Sequence, residues 1–203
     1  MKPEAYDFLN NLSTIWAIVI GAVMATGGGL LATWIERNVD RHHRERNAAL
    51  FYGEMLSTLD VLLEFGTQAR GVGDPYGPIT LRFLRSARRE IELYDRNRET
   101  VFFLQDGHLR ARIRTIVLRL IMPLDSVFDF TQEIALTEAQ LKALPQSDPD
   151  REEVAKRIED LRRRRDTAFD FVTESAAQLK PIVTDLEPIA RQSFRQLAQV
   201  ARS

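Results

Sequence analysis

Three histidines and no cysteine bound the chemistry open to this chain. His42 and His43 are neighbours, so on a helix they point about 100° apart and cannot make the i,i+4 clasp that grips a metal in HExxH sites. His108 follows Gly107 near an expected helix start and reads as a surface residue. Without cysteine there is no thiolate nucleophile, and no serine sits in a G-x-S-x-G elbow. The triplet Gly27-Gly28-Gly29 is no phosphate loop, because the Lys and Ser/Thr of that motif are missing. Di-iron bundles need a Glu-x-x-His pair on each of two helices, and the chain has none. No catalytic, cofactor-binding or metal-ligating residue is therefore expected, nor any cofactor, and enzyme activity ranks third among the function classes.

What remains is charge. Glu90, Glu92, Tyr94, Asp95, Arg96 and Arg98, with Asn97 and Glu99, crowd donors and acceptors beside Ile91 and Leu93. This segment reads as a salt-bridged inter-helix or partner surface. Residues 81–119 hold ten Arg against five acids, whereas residues 120–160 hold ten acids against four bases. Opposite local excesses of this kind can pair within a fold or between subunits. Arg162 to Arg165 form a run, but Glu159, Asp160 and Asp166 flank it, and four consecutive helical residues point all round the axis. With 28 bases and 29 acids in the whole chain, the basic excess of a dedicated nucleic-acid binder is absent, and nucleic acid is not an expected partner.

The elements that must position these residues start with an apolar one. Residues 12–35 contain no charge, and 18 or more such residues are the usual signal of a spanning helix. Trp16 and Trp34 stand near its ends, where amphipathic rings favour the headgroup level. Ala17, Gly21, Ala25, Gly29 and Thr33 recur every fourth residue, so they would line one face of that helix and let a second helix approach closely. Arg37, Arg41, Arg44 and Arg46 form a basic collar after it, against Lys2 alone before it. The positive-inside rule then puts residues 1–11 outside as a short tail and residues 36–203 in the cytoplasm.

Residues 36–203 are enough for one domain with its own core. Ala48, Tyr52, Met55, Leu59, Leu62, Gly66 and Ala69 alternate at spacings of four and three, which predicts a first helix to about Ala69. Gly and Pro concentrate at 71–78, and a second loop follows near 145–150, giving expected loops near 70–79 and 145–150. Between them the sequence predicts a helix from Thr80, and another from about His108 that Pro123 should kink or end. Thr137 with Gln140 suggests a capping box for a short helix through Leu144. Asp148 and Pro149 suit the start of a long helix whose seam includes Val154, Ile158, Leu161, Arg165, Ala168, Val172, Ser175 and Leu179. Lys180-Pro181 should interrupt it, and a last helix should carry Ile189, Phe194, Leu197 and Val200.

The expected architecture is thus all-α: a single N-terminal transmembrane helix followed by a soluble antiparallel helical bundle. The expected function is a membrane-anchored structural or interaction protein, an accessory or scaffold subunit of a membrane-associated assembly. A cytoplasmic-face binding or sensing module for an anionic ligand, lipid headgroup or nucleic acid is the alternative. The expected partners are the lipid bilayer, anionic headgroups, and a second copy or another membrane protein met through the transmembrane helix. The expected location is a plasma or bacterial inner membrane, crossed once.

Overall fold

In the computed structural model, residues 39–194 are described, and every regular element among them is helical. The chain divides into two compact units, Met1–Arg44 and Glu45–Ser203. Of the first, residues 39–44 are described; they are helical, and Arg44 pairs with Asp40 at 2.6 Å. The second unit holds the bundle. Its helices are α1 (helical over residues 45–70), α2 (Pro78–Asn97), α3 (Gly107–Ala143), α4 (Asp150–Ala176) and α5 (Leu179–Ala190), with a 3-10 helix at Arg98–Phe103.

The cross-helix contacts fix the directions. Tyr52 near the start of α1 bonds the carbonyl of Asn97 at the end of α2, while Gly66 packs on Phe83 and Leu84 nearer the start of α2. Arg112 pairs with Asp185 of α5, Arg119 with Gln178, and Glu133 with Arg157 of α4. In each series one residue number rises as its partner falls, so neighbouring helices run antiparallel. Helices α4 and α5 together form the fourth long segment, broken by the turn at residues 177–178.

Buried apolar residues explain why the elements assemble. Tyr52, Leu56 and Leu59 of α1, Leu84 and Ile91 of α2, Ile113, Leu120 and Leu124 of α3, Phe169 and Val172 of α4, and Leu179 and Leu186 of α5 form one core. A second, smaller cluster of Ile134, Ile158 and Leu161, with Phe130, Leu141 and Val154 against it, belongs to α3 and α4 alone. The α3–α4 hairpin therefore extends past the shared core as a two-helix tip.

The single-pass architecture requires correction. Among the described residues no helix is long and apolar enough to cross a membrane. Each bundle helix has one buried side and one polar side, the pattern of a helix packed in a globular fold. The expected span 12–35, its face of Ala17, Gly21, Ala25, Gly29 and Thr33, and Arg37 of the collar lie outside the described residues. The fold class is accordingly an all-α helical bundle, and the anchored version is withdrawn. With it go the single-pass location, the outside-to-cytoplasm orientation and the partners that depended on them: the bilayer, its headgroups and a neighbouring transmembrane helix.

Several local expectations also change. Pro123 neither ends nor divides α3, which continues through it. Leu120, Leu124 and Val127 are fully buried on either side of the proline, and tertiary packing outweighs the one lost backbone hydrogen bond. Thr137 starts no helix; it is buried inside α3 and donates to the Glu133 carbonyl at 2.8 Å. The true start of α3 is capped by Asp106, whose carboxylate accepts from His108 N at 2.8 Å and Leu109 N at 3.2 Å. Those bonds hold its pKa below the usual value. The last helix stops at Ala190, where Arg191 takes the left-handed conformation with φ 55°. Phe194 then folds back onto α1, its amide donating to Glu187 Oε1 at 2.9 Å. Gly53 makes the space: a Cβ there would lie 2.1 Å from Phe194 Cζ.

Candidate functional site

The antiparallel run of α3 beside α4 leaves a shallow apolar groove on the outside of the bundle, of about 550 Å³. From α3 its wall is built by Leu118, Met122, Pro123 and Phe130, and from α4 by Ala168 and Phe171. Leu118, Met122, Ser126 and Phe130 follow one another at i, i+4 along a single side of α3. Leu118 is 54% exposed, Met122 71% and Phe171 54%, so the apolar surface faces solvent and not the core. Contiguous exposed apolar surface with a polar rim is the usual mark of an interaction site. Among the described residues that rim consists of Thr115, Ser126, Thr167, Arg119 and Arg164, with no carboxylate. Arg119 donates to Gln178 at 3.3 Å, and Arg164 Nε lies 2.7 Å from Asp160.

A second concentration of polar chemistry pins the α1–α2 loop to α4. Tyr76, in the Gly/Pro-rich loop, is 7% exposed and donates its hydroxyl to Asp166 Oδ1 at 2.6 Å. Arg70, at the end of α1, bonds Asp166 at 3.0 Å and Asp170 at 2.9 Å. The guanidinium carbons of Arg70 and Arg165 lie 5.4 and 3.6 Å from the Tyr76 ring centroid, and Arg70 is also 4.4 Å from that of Phe169. Burial, then the hydrogen bond to Asp166, push the Tyr76 phenol well above its ordinary pKa, so it stays a neutral donor. Every group here is directed at another group of the fold, which makes the cluster a latch.

The charged segment on α2 is divided between inside and outside. Tyr94 is buried, 6.0 Å ring to ring from Tyr52, and Glu90 and Glu92 are half-buried. Burial raises the pKa of Glu90. Glu92 lies 3.7 Å from Arg88, which itself pairs with Asp125 of α3 at 2.6 Å. Asp95, Arg96 and Arg98 are exposed. The six residues therefore do not converge on one surface. Of the basic collar, Arg41 is exposed, Arg44 pairs with Asp40, and Arg46 donates to the Ala190 carbonyl at 3.2 Å, at the end of α5. Among the described residues no group of three His, Asp or Glu is arranged to hold a metal ion.

Sequence reasoning did not find the groove. Leu118 and Met122 belong to the long apolar run of α3, and periodicity does not tell a second, outward apolar side from the core-facing one. The available signal was the breadth of the run Ile116-Val117-Leu118 and Leu120-Ile121-Met122, which covers more of the helix circumference than one interface needs.

The chain matches no protein-family model, no curated protein and no solved structure.

Proposed function

We propose that this protein is a non-enzymatic interaction module that receives one amphipathic helix in the α3–α4 groove. The observation that carries the reading is the contiguous exposure of Leu118, Met122 and Phe171 around that groove. Its wall extends along α3 from Thr115 to Phe130, about 22 Å at about 1.5 Å per residue, the length of some four helical turns. Recognition of this type buries residues at i, i+3, i+4 and i+7 of the incoming helix in an apolar trough. The membrane-anchored accessory role and its cytoplasmic-face alternative are replaced by this reading, since no membrane-crossing helix is found among the described residues.

The test is direct binding of a labelled 18-residue peptide with leucines at i, i+3, i+4 and i+7, followed by fluorescence anisotropy. The full chain should bind it, and Met122→Asp and Phe171→Asp should each weaken binding at least tenfold. Both positions are more than half exposed, so helix content by circular dichroism should not change. Equal binding by the parent chain and both variants would remove the groove as the site.

A further inference from the structure

From the charge around the groove we infer that its partner is an amphipathic helix with carboxylates flanking its apolar face; this rests on the docking reading above. Among the described residues the charged side chains on the groove are Arg119 and Arg164, one from each wall. Arg119 has the neutral Gln178 as its hydrogen-bond partner. Arg164 has Asp160, one helical turn away, and a solvent-screened i,i+4 pair of this kind contributes little. A partner carboxylate can therefore join either arginine without displacing a strong contact. The two arginines on opposite walls would bracket the incoming helix, fixing its register through one acidic residue on each flank.

Other occupants fit less well. A second copy related by a two-fold axis would set one basic rim against another and offer no carboxylate from the groove itself. Residues 195–203 of the chain contain Arg195 and Arg202 and no acid, and residues 12–35 contain no charge at all. Neither of these two stretches supplies a carboxylate; residues 1–11 hold Glu4 and Asp7 against Lys2, and deletion of residues 1–35 tests that stretch directly. An apolar trough whose charged rim residues are Arg119 and Arg164 favours acidic amphipathic helices and disfavours basic ones by like-charge contact.

The experiment uses the full chain and two versions of the leucine-faced peptide, one with glutamates flanking the leucines and one with lysines. The glutamate peptide should bind at least tenfold more tightly at low salt, an advantage that shrinks as ionic strength rises. Arg119→Glu with Arg164→Glu should reverse the preference, with both arginines exposed and the fold intact. Equal binding of both peptides, lost in Met122→Asp, would overturn the acidic partner while leaving the docking site. No binding of either peptide, together with dimerisation that Phe171→Asp abolishes, would assign the groove to a second copy. If instead deleting residues 1–35 or 195–203 were needed before either peptide bound, the occupant would be that segment of the chain, and the acidic partner would fall. Absence of any binding or dimerisation in every form would overturn both the partner and the docking site.

Discussion

Between about Ile113 and Leu124, α3 is covered by α2 and α5 as well as by α4, and its inward residues are almost fully buried in the core it shares with α1. Beyond Phe130 the same helix leaves the shared core, although α2 still flanks Thr131, Gln132 and Ala135, and the apolar contact shrinks to Ile134, Ile158 and Leu161 with three half-buried neighbours. Polar contacts take over at this tip. Arg157 pairs with Glu133 at 2.7 Å and Arg162 with Glu138 at 2.6 Å, both arginines exposed and both glutamates half-buried. Arg151 closes the end of α3 by donating to the carbonyls of Leu141 at 3.0 Å and Leu144 at 2.8 Å. Exposed ion pairs contribute about 0–1 kcal/mol and weaken with salt, whereas a buried large side chain contributes several times more. One pair of helices thus has a rigid half and a loosely held half, and the docking groove lies on the rigid half and ends at the start of the loose one.

The sharpest way to break the rigid half is Phe169→Ala. Phe169 is 1% exposed and packs edge-on to Tyr76 at 6.0 Å, so truncation should cost about 3–5 kcal/mol in chemical denaturation and lower the whole transition. A loss below about 1 kcal/mol would show that the core is not the common support of the bundle. Gly53→Ala comes next. Alanine normally favours a helix interior, yet here its methyl group would meet the Phe194 ring, and overpacking of this kind costs about 1–3 kcal/mol. The expected result is net destabilisation in the same assay; added stability would mean that Phe194 leaves its notch freely.

Ile158→Ala tests the other side of the comparison. It should loosen residues 133–162 by about 2 kcal/mol, the low end for such a truncation, because the site has few neighbours to lose. Hydrogen exchange should speed up there while the main unfolding midpoint stays put, and added salt should speed exchange at the tip further. A midpoint shift as large as that of Phe169→Ala would abolish the distinction between body and tip. The smallest effect belongs to Tyr76→Phe, which keeps the ring between its two arginines and loses only the bond to Asp166, about 1 kcal/mol. Because the folded phenol is raised above its ordinary value of 10.0, its contribution is complete below that pH and is lost as pH rises through the raised value. Tyr76→Phe should therefore lessen the fall of stability above pH 10, read from denaturation midpoints against pH. An unchanged alkaline slope would show that the latch does not titrate.

The helices were legible where one stripe faces one core. The expected seam of α1 holds Ala48, Tyr52, Met55 and Leu59, all buried, and its predicted end at Ala69 falls one residue from the observed one. The stripe is wider than a heptad seam because α1 is covered on two sides, which also buries Ala49, Leu56 and Leu63. Local breaker signals misled where packing overrules them, as at Pro123 and Thr137 within α3. Arg165 was visible only as a polar break in the α4 seam. Its partner, Tyr76, comes from a loop ninety residues earlier, and no periodicity links the two; Arg165 Nε is buried without a hydrogen-bond partner while its guanidinium stacks on that ring. The apolar groove was illegible because outward and inward leucines are spelled alike, and only the packing of α1 and α5 decides which side they cover.

The seating of Phe194 against Gly53 gives the chain an order of completion. Helix α1 is made early, yet its contacts at Arg46, Gly53, Asp60 and Arg70 are with Ala190, Phe194, Lys180 and Asp166. Each closes a loop of roughly a hundred residues or more, the kind of distant pairing that slows folding and forms last. During synthesis the apolar side of α1 has no cover from the fourth segment until the chain through Phe194 has left the ribosome. Vectorial folding can build the α1–α2 and α3–α4 hairpins one after the other, but the bundle closes in a single late step, and a chain cut short before Phe194 exposes α1 to aggregation.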